Sequence, residues 1–118
     1  MSDTHHTVNY IELGATDLAA AKAFYTSAFG WEFNDYGPDY AGIKLPGRDD
    51  EIGGLNPATT PQPGGPLVLI SSDDLDATHA AVLAAGGTVT EGPYAYPGGR
   101  RFHFTDPSGN ALGVYSHQ

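Results

Sequence analysis

Asp17-Leu18-Ala19-Ala20-Ala21-Lys22-Ala23-Phe24-Tyr25-Thr26-Ser27-Ala28-Phe29-Gly30 reads as a helix with both ends marked. Leu18, Ala21, Tyr25 and Ala28 recur at helical spacing, so they form one apolar stripe. Thr16 or Asp17 can offer a side-chain oxygen to the open amides of the first turn, and Gly30 supplies a left-handed stop. A shift of 57 positions lays Leu75, Thr78, Val82 and Ala85 on that stripe, Asp74 on Asp17 and Gly87 on Gly30. Helix entrance, buried face and exit agree together, which points to two copies of one unit.

Working outward from the first copy, Val8 to Leu13 alternates as a strand does, with Ile11 and Leu13 toward a core and Tyr10 and Glu12 on the other side. Trp31 to Phe33, Tyr40 to Leu45 and Glu51 to Leu55 follow as short strands, broken by Asp35-Tyr36-Gly37-Pro38-Asp39 and Pro46-Gly47-Arg48-Asp49-Asp50. Around the second copy, Leu67 to Ile70, Val89 to Tyr96, Arg101 to Thr105 and Ala111 to Ser116 complete a second set, and Asp106-Pro107-Ser108-Gly109 turns between the last two. The expectation is an α+β fold of two βαβββ modules, about 8–56 and 67–116, with the Pro/Gly-rich segment 57–66 as connector. Neither half can bury a stable core alone, so residues 1–118 read as a single domain.

Composition narrows the function. Five Lys+Arg against fourteen Asp+Glu leave a formal charge of −9, which repels phosphate backbones and anionic membranes and argues against both as partners. The acidity serves solubility, or it draws in a cationic ligand. There is no cysteine, so disulfides, zinc thiolates and a thiol nucleophile are excluded. No apolar run approaches the roughly 18 residues of a membrane span, and no basic-then-apolar leader opens the chain, so the expectation is a cytoplasmic protein.

Asp17-Leu18, Phe24-Tyr25, Phe29-Gly30-Trp31, Ala84-Ala85-Gly86-Gly87 and Asp106-Pro107-Ser108-Gly109-Asn110 together resemble the vicinal-oxygen-chelate superfamily. That family includes glyoxalase I, extradiol dioxygenases, fosfomycin-resistance enzymes and bleomycin-binding proteins. The resemblance runs from about Val8 to Tyr115. It implies a curved eight-stranded mixed sheet or half-barrel with helices on the outer face, a small-molecule ligand in the concave cleft, and a homodimer. It also implies four metal-ligand positions, which fall near Tyr10, Asn56, Leu67 and Gly113. A divalent ion needs several carboxylate or imidazole donors converging on it, and these four side chains do not supply them. No cofactor is therefore expected, and a divalent metal is disfavoured.

With Phe102 and Phe104 in the core, Arg101 and His103 face the cleft, joined by Tyr115 on the neighbouring strand and by Tyr10 and Glu12 from the first. Glu12 and His103 are the candidate catalytic pair, since a carboxylate beside an imidazole can share a proton near neutral pH. Tyr10, Arg101 and Tyr115 are the candidate ligand-binding residues. The structural alternatives are a Glu12–Arg101 ion pair, a cross-strand hydrogen bond at His103, and tyrosines that fill the place of lost metal ligands. His5 and His6 should point apart in an extended tail, His79 should lie on the exposed helix face, and Gly53-Gly54 should admit a close approach to the backbone. The leading function is a metal-free small-molecule binder or enzyme with glyoxalase-like lyase or dioxygenase-like chemistry. The rivals are a metal-dependent lyase or dioxygenase with displaced ligands drawn from Glu12, His103 and Glu51, a cationic-antibiotic-sequestering protein, and a protein-interaction module.

Overall fold

A computed structural model describes residues 5–117. In chain order the elements are β1 (Ile11–Gly14), α1 (Leu18–Phe29), β2 (Glu32–Asp35), β3 (Ala41–Lys44), β4 (Glu51–Asn56), β5 (Val68–Ser71), α2 (Leu75–Ala84), β6 (Thr88–Tyr96), β7 (Gly99–Thr105) and β8 (Ala111–Ser116). This is βαβββ twice, and β1 and β5 fall in step with the 57-residue shift. Each helix is opened by its aspartate: Asp17 accepts from the Ala20 amide at 3.0 Å and Asp74 from the Ala77 amide at 3.1 Å.

The two sheets have the same plan, β1-β4-β3-β2 and β5-β8-β7-β6, with the first strand parallel to the fourth and the rest antiparallel. The eight strands are thus hydrogen-bonded as two four-stranded sheets and do not close into a barrel. The parallel pairings are what require a helix between first strand and second, because a crossover cannot be made by a tight turn.

Phe102, Phe104, Leu112 and Val114 of the second sheet pack with Leu13, Ile43 and Leu55 of the first, and with Phe24, Tyr25, Leu75 and Val82 of the helices. Phe24 of α1 reaches Phe104 of β7, ring centres 6.0 Å apart, so the core is shared between modules. Full burial of such side chains stabilises by about 1.5–3 kcal/mol each.

Three local expectations are corrected. Ile11 is 39% exposed, because β1 is an edge strand bordering an open groove. The second helix exits on Gly86, at φ 100°, one residue before the match to Gly30. Gly87 is used differently: a Cβ there would lie 2.7 Å from a Val82 methyl and 2.9 Å from the Phe24 ring, so its bareness lets α1 approach. His79 is half-buried, its ring edge-on to Phe102 at 5.1 Å.

The modules are locked at the Asp106 turn. Asp106 Oδ1 accepts from the amides of Ser108, Gly109 and Asn110 at 3.0, 2.9 and 2.9 Å, while Oδ2 accepts from Tyr25 Oη at 2.7 Å and Asn110 Nδ2 at 2.9 Å. Asn110 Nδ2 also donates to the Gly14 carbonyl at 2.7 Å, and its Oδ1 accepts from the Gln62 amide at 2.9 Å. Burial, with Asp106 beside it, pushes the Tyr25 phenol far up, so it stays a donor. Tyr25→Phe keeps the ring and removes one donor from the buried carboxylate. The expected cost is about 1–3 kcal/mol, read as a lower urea midpoint at unchanged slope; an unchanged midpoint would show that this bond does not stabilise the fold.

Candidate functional site: two faces of a split cleft

Residues paired across neighbouring strands point to the same side of a sheet, so the registers assign the faces. In the first sheet Glu12, Gly54, Gly42 and Asn34 form one lateral row. In the second, Leu69, Gly113, His103 and Glu91 form one row, and Ser71, Tyr115, Arg101 and Tyr94 the next. These faces lie away from the core, because the alternating residues Leu13, Leu55, Phe102, Phe104, Leu112 and Val114 are buried. The registers also refine one position. Glu12 pairs with Gly54 whereas its repeat equivalent Leu69 pairs with Gly113, so Gly54 stands level with Gly113 and Asn56 lies two residues beyond. The 57-residue shift holds from first strand through helix and is lost after it, where β6 runs nine residues against four in β2.

On the first face, Glu51 is the centre. Its carboxylate accepts from Tyr36 Oη, from Asn34 Nδ2 at 3.1 Å and from Tyr10 Oη at 3.2 Å, and Tyr10 shares a 2.6 Å bond with Tyr40 Oη. Glu12 accepts from Thr59 Oγ1 at 2.7 Å and Asn56 Nδ2 at 3.2 Å. Hydrogen bonds from Tyr36, Asn34 and Tyr10 hold the Glu51 carboxyl below its usual range, and those from Thr59, Asn56 and Tyr40 do the same for Glu12. Burial first, then the bond to Tyr10, pushes the Tyr40 phenol up. Both carboxylates are therefore anions at neutral pH, and a depressed carboxyl is a weakened base.

The second face carries a cation, Arg101, with Glu91 in the neighbouring row. Arg101 Nε donates to Tyr94 Oη at 2.5 Å, and the same phenol lies 2.9 Å from His103 Nε2. The guanidinium stacks over the Tyr96 ring at 4.9 Å, and Tyr115 packs edge-on to His117 at 5.3 Å. All five residues singled out from the sequence thus lie on the two core-distal faces, yet in separate groups. Among the described residues no hydrogen bond or ion pair joins Glu12 to His103 or to Arg101. His103 makes the cross-strand bond, to Tyr94. Between the modules, where the edges of β1 and β5 approach, runs an apolar groove of about 270 Å³, lined by Ile11, Ile43, Ile52, Val68 and Leu69 with Trp31.

Tyr36, Tyr40, Asn34 and Thr59 were not singled out from the sequence, since Tyr36 lies in a turn and Thr59 in the connector. The signal was Gly42 and Gly54, whose missing Cβ atoms leave room for the Glu51 carboxylate and the Tyr40 phenol to lie over the sheet. Gly53 answers the close approach expected there: a Cβ would strike the Ile11 carbonyl of β1. His5 and His6 do not point apart; their rings stack at 3.7 Å, with His6 at a φ of 61°.

The four family metal positions do not fit a divalent ion. Tyr10 is engaged with Tyr40 and Glu51, Asn56 with Glu12, and Leu67 lies 3.8 Å from where a Gly113 Cβ would be. No three His, Cys, Asp or Glu side chains come together as a metal cage among the described residues.

The profile of the Glyoxalase/Bleomycin resistance protein/Dioxygenase superfamily matches residues 7–114. The chain belongs to that superfamily. Within the glyoxalase superfamily, the chain is 34% identical over 117 residues to "Putative glyoxylase CFP32" of Mycobacterium tuberculosis, an alignment covering 92% of this chain and 45% of that protein. It is 32% identical over 124 residues to the anthracycline biosynthesis protein DnrV of Streptomyces peucetius, covering 90% and 45%. The chain thus spans about half the length of these curated relatives. Among solved structures, TnmS3, an antibiotic binding protein from Streptomyces sp. CB03234, superposes with a TM-score of 0.70 at 28% identity, covering 98% of each chain.

A carboxyl held below its unfolded value contributes stability above that value, and loses it as pH falls through the folded one. Replacing Glu51 by Gln should therefore lower the unfolding midpoint at neutral pH. The difference from the parent should shrink as pH falls below the ordinary carboxyl value of 4.5. Chemical denaturation of both proteins across that range checks this; a pH-independent difference would contradict the assignment.

Proposed function

We propose that this glyoxalase-superfamily chain binds a small organic molecule on its cleft faces without the divalent metal of its metal-using relatives, and that it works as a homodimer. The observation that carries the reading is the donor set: a phenol, an amide or a glycine, a leucine and a glycine stand at the metal positions, and the faces around them are polar and aromatic. Such a surface, with a few convergent polar groups beside an apolar groove, suits an organic ligand. Exposed Ile11 and Ile52 along the seam support a second copy as cover. The antibiotic binding of TnmS3 and the anthracycline biosynthesis of DnrV make antibiotic-like organic molecules the first class to screen.

A metal-dependent reaction through displaced ligands would need Glu12 and His103 to converge. Each is instead bonded within its own module, to Thr59 and Asn56 and to Tyr94. Elemental analysis of tag-free protein after mild chelation should find no stoichiometric Fe, Mn, Ni or Zn. Retention of one equivalent, lost on Glu12→Gln or His103→Ala, would overturn the metal-free reading. A thermal-shift screen tests the binding claim: a ligand at a hundred times its Kd stabilises the fold by about 2.7 kcal/mol, a rise of several degrees for a domain of this size.

A further inference from the structure

Five lysines and arginines share this chain with fourteen carboxylates. Lys22 pairs with Asp35, Lys44 with Asp49 at 3.6 Å, Arg48 with Asp50 at 2.6 Å and Arg100 with Asp76 at 3.2 Å. Among the described residues Arg101 alone has no ion pair. The contrast with Arg100 is instructive, because adjacent residues of a strand point to opposite faces. Arg100 meets a carboxylate of α2, while Arg101 emerges half-buried on the cleft face.

What surrounds Arg101 holds the guanidinium without neutralising it. Nε is spent on the Tyr94 phenol, and the Tyr96 and Tyr94 rings stand 4.9 and 5.6 Å from the guanidinium carbon. Glu91 lies on the same face and makes no ion pair with it. The two Nη nitrogens have no protein partner among the described residues, so the outer edge of a planar, fixed fork is left for an acceptor. The Tyr94 bond and the aromatic faces favour the cation, and among the described residues no carboxylate lies within ion-pair distance of it. On the side of Arg101 away from Tyr94 and Tyr96, across β8, the surface is apolar, with Leu69 and Leu67 lying over Gly113. Gly113 separates Leu69 from His103 across the strands, and Leu67 and Leu69 are 39% and 37% exposed.

We propose that the module-two half of the cleft is an anion subsite, in which the Arg101 Nη atoms grip the carboxylate of a flat organic acid whose apolar body lies on Leu67, Leu69 and Gly113. This rests on the small-molecule reading above and gives it a ligand class. Glu91, in the row next to Arg101, disfavours a second negative group on the ligand, so a monoanion is selected over a dianion.

Calorimetric titration of the intact chain with naphthoate, naphthamide and naphthylmethylammonium tests it, since the ring system is constant and only the charge changes. Naphthoate should bind at least about tenfold more tightly than naphthamide, the margin of charge-assisted hydrogen bonds, and the ammonium should bind more weakly than either. Arg101→Gln should bring naphthoate to the level of naphthamide without moving naphthamide, and Arg101→Lys should restore part of the preference. Arg100→Gln should leave all three unchanged. In the unmutated protein the NMR signal of the Arg101 Nε–H should shift on adding naphthoate and saturate with the calorimetric Kd, which decides the matter even if a variant fails to fold. If naphthamide or the ammonium binds as tightly as naphthoate, or if Arg101→Gln keeps the preference, the anion subsite is overturned while the cleft remains a binding site. If none of the three binds at millimolar concentration, the subsite is overturned, and a blank thermal-shift screen would take the small-molecule reading with it.

Discussion

Asp106 is a buried carboxylate in the seam between two modules, and it is tolerable there because five donors converge on its two oxygens. Burying an ion without such partners would cost several kcal/mol. Three of the donors are backbone amides of its own turn, so the turn before β8 is held locally. Tyr25 of α1 then docks onto the second oxygen, and Asn110 extends the network to the end of β1 and to the connector. One side chain thereby fixes the placement of a helix from one module, a strand end from the same module, and the last hairpin of the other. The Tyr25 ring also stacks on Trp31 at 4.5 Å, so the polar lock and the aromatic core share a residue.

Everything on the cleft faces depends on that placement. With Phe102, Phe104, Leu112 and Val114 committed to the shared core, strand alternation sends Arg101, His103, Gly113 and Tyr115 outward together. On the first sheet the same logic exposes Glu12 and clears Gly42 and Gly54 for Glu51 and Tyr40 to lie over the strands. The outcome is two differently furnished faces: two carboxylates held ionised by hydrogen bonds on one module, and a guanidinium held by phenols, with Glu91 in the next row, on the other. Tyrosine is the common material because a phenol can donate to a carboxylate or accept from a guanidinium, and its ring can carry a cation.

The repeat, the caps and the alternation were legible in the chain because each is a local property. Asp17 and Asp74 cap the helices that their positions announce, and Phe102 and Phe104 are buried as their spacing requires. The misreadings came where a neighbour distant in sequence decides. Ile11 alternates like a core residue yet borders a groove, because nothing local says that β1 is an edge. His79 sits on the outer side of the helix by repeat matching, yet meets Phe102. By the 57-residue count Asn56 stands level with Gly113, whereas hydrogen-bond register sets Gly54 beside Glu12 just as it sets Gly113 beside Leu69.

The site shows the same boundary. The sequence by itself determined which residues lie on the sheet faces away from the core, namely Tyr10, Glu12, Arg101, His103 and Tyr115, because side-chain direction in a strand follows from a period of two. At the positions where the resemblance implies metal ligands it put side chains without imidazole or carboxylate, since that is a matter of residue type. Only the tertiary structure decided who meets whom. Glu12 went to Thr59 and Asn56, His103 and Arg101 to Tyr94, and Glu51 to Tyr36, Asn34 and Tyr10. Those pairings depend on strand register, loop length and the gap between two sheets, which are set by packing across the whole chain and carry no local signature.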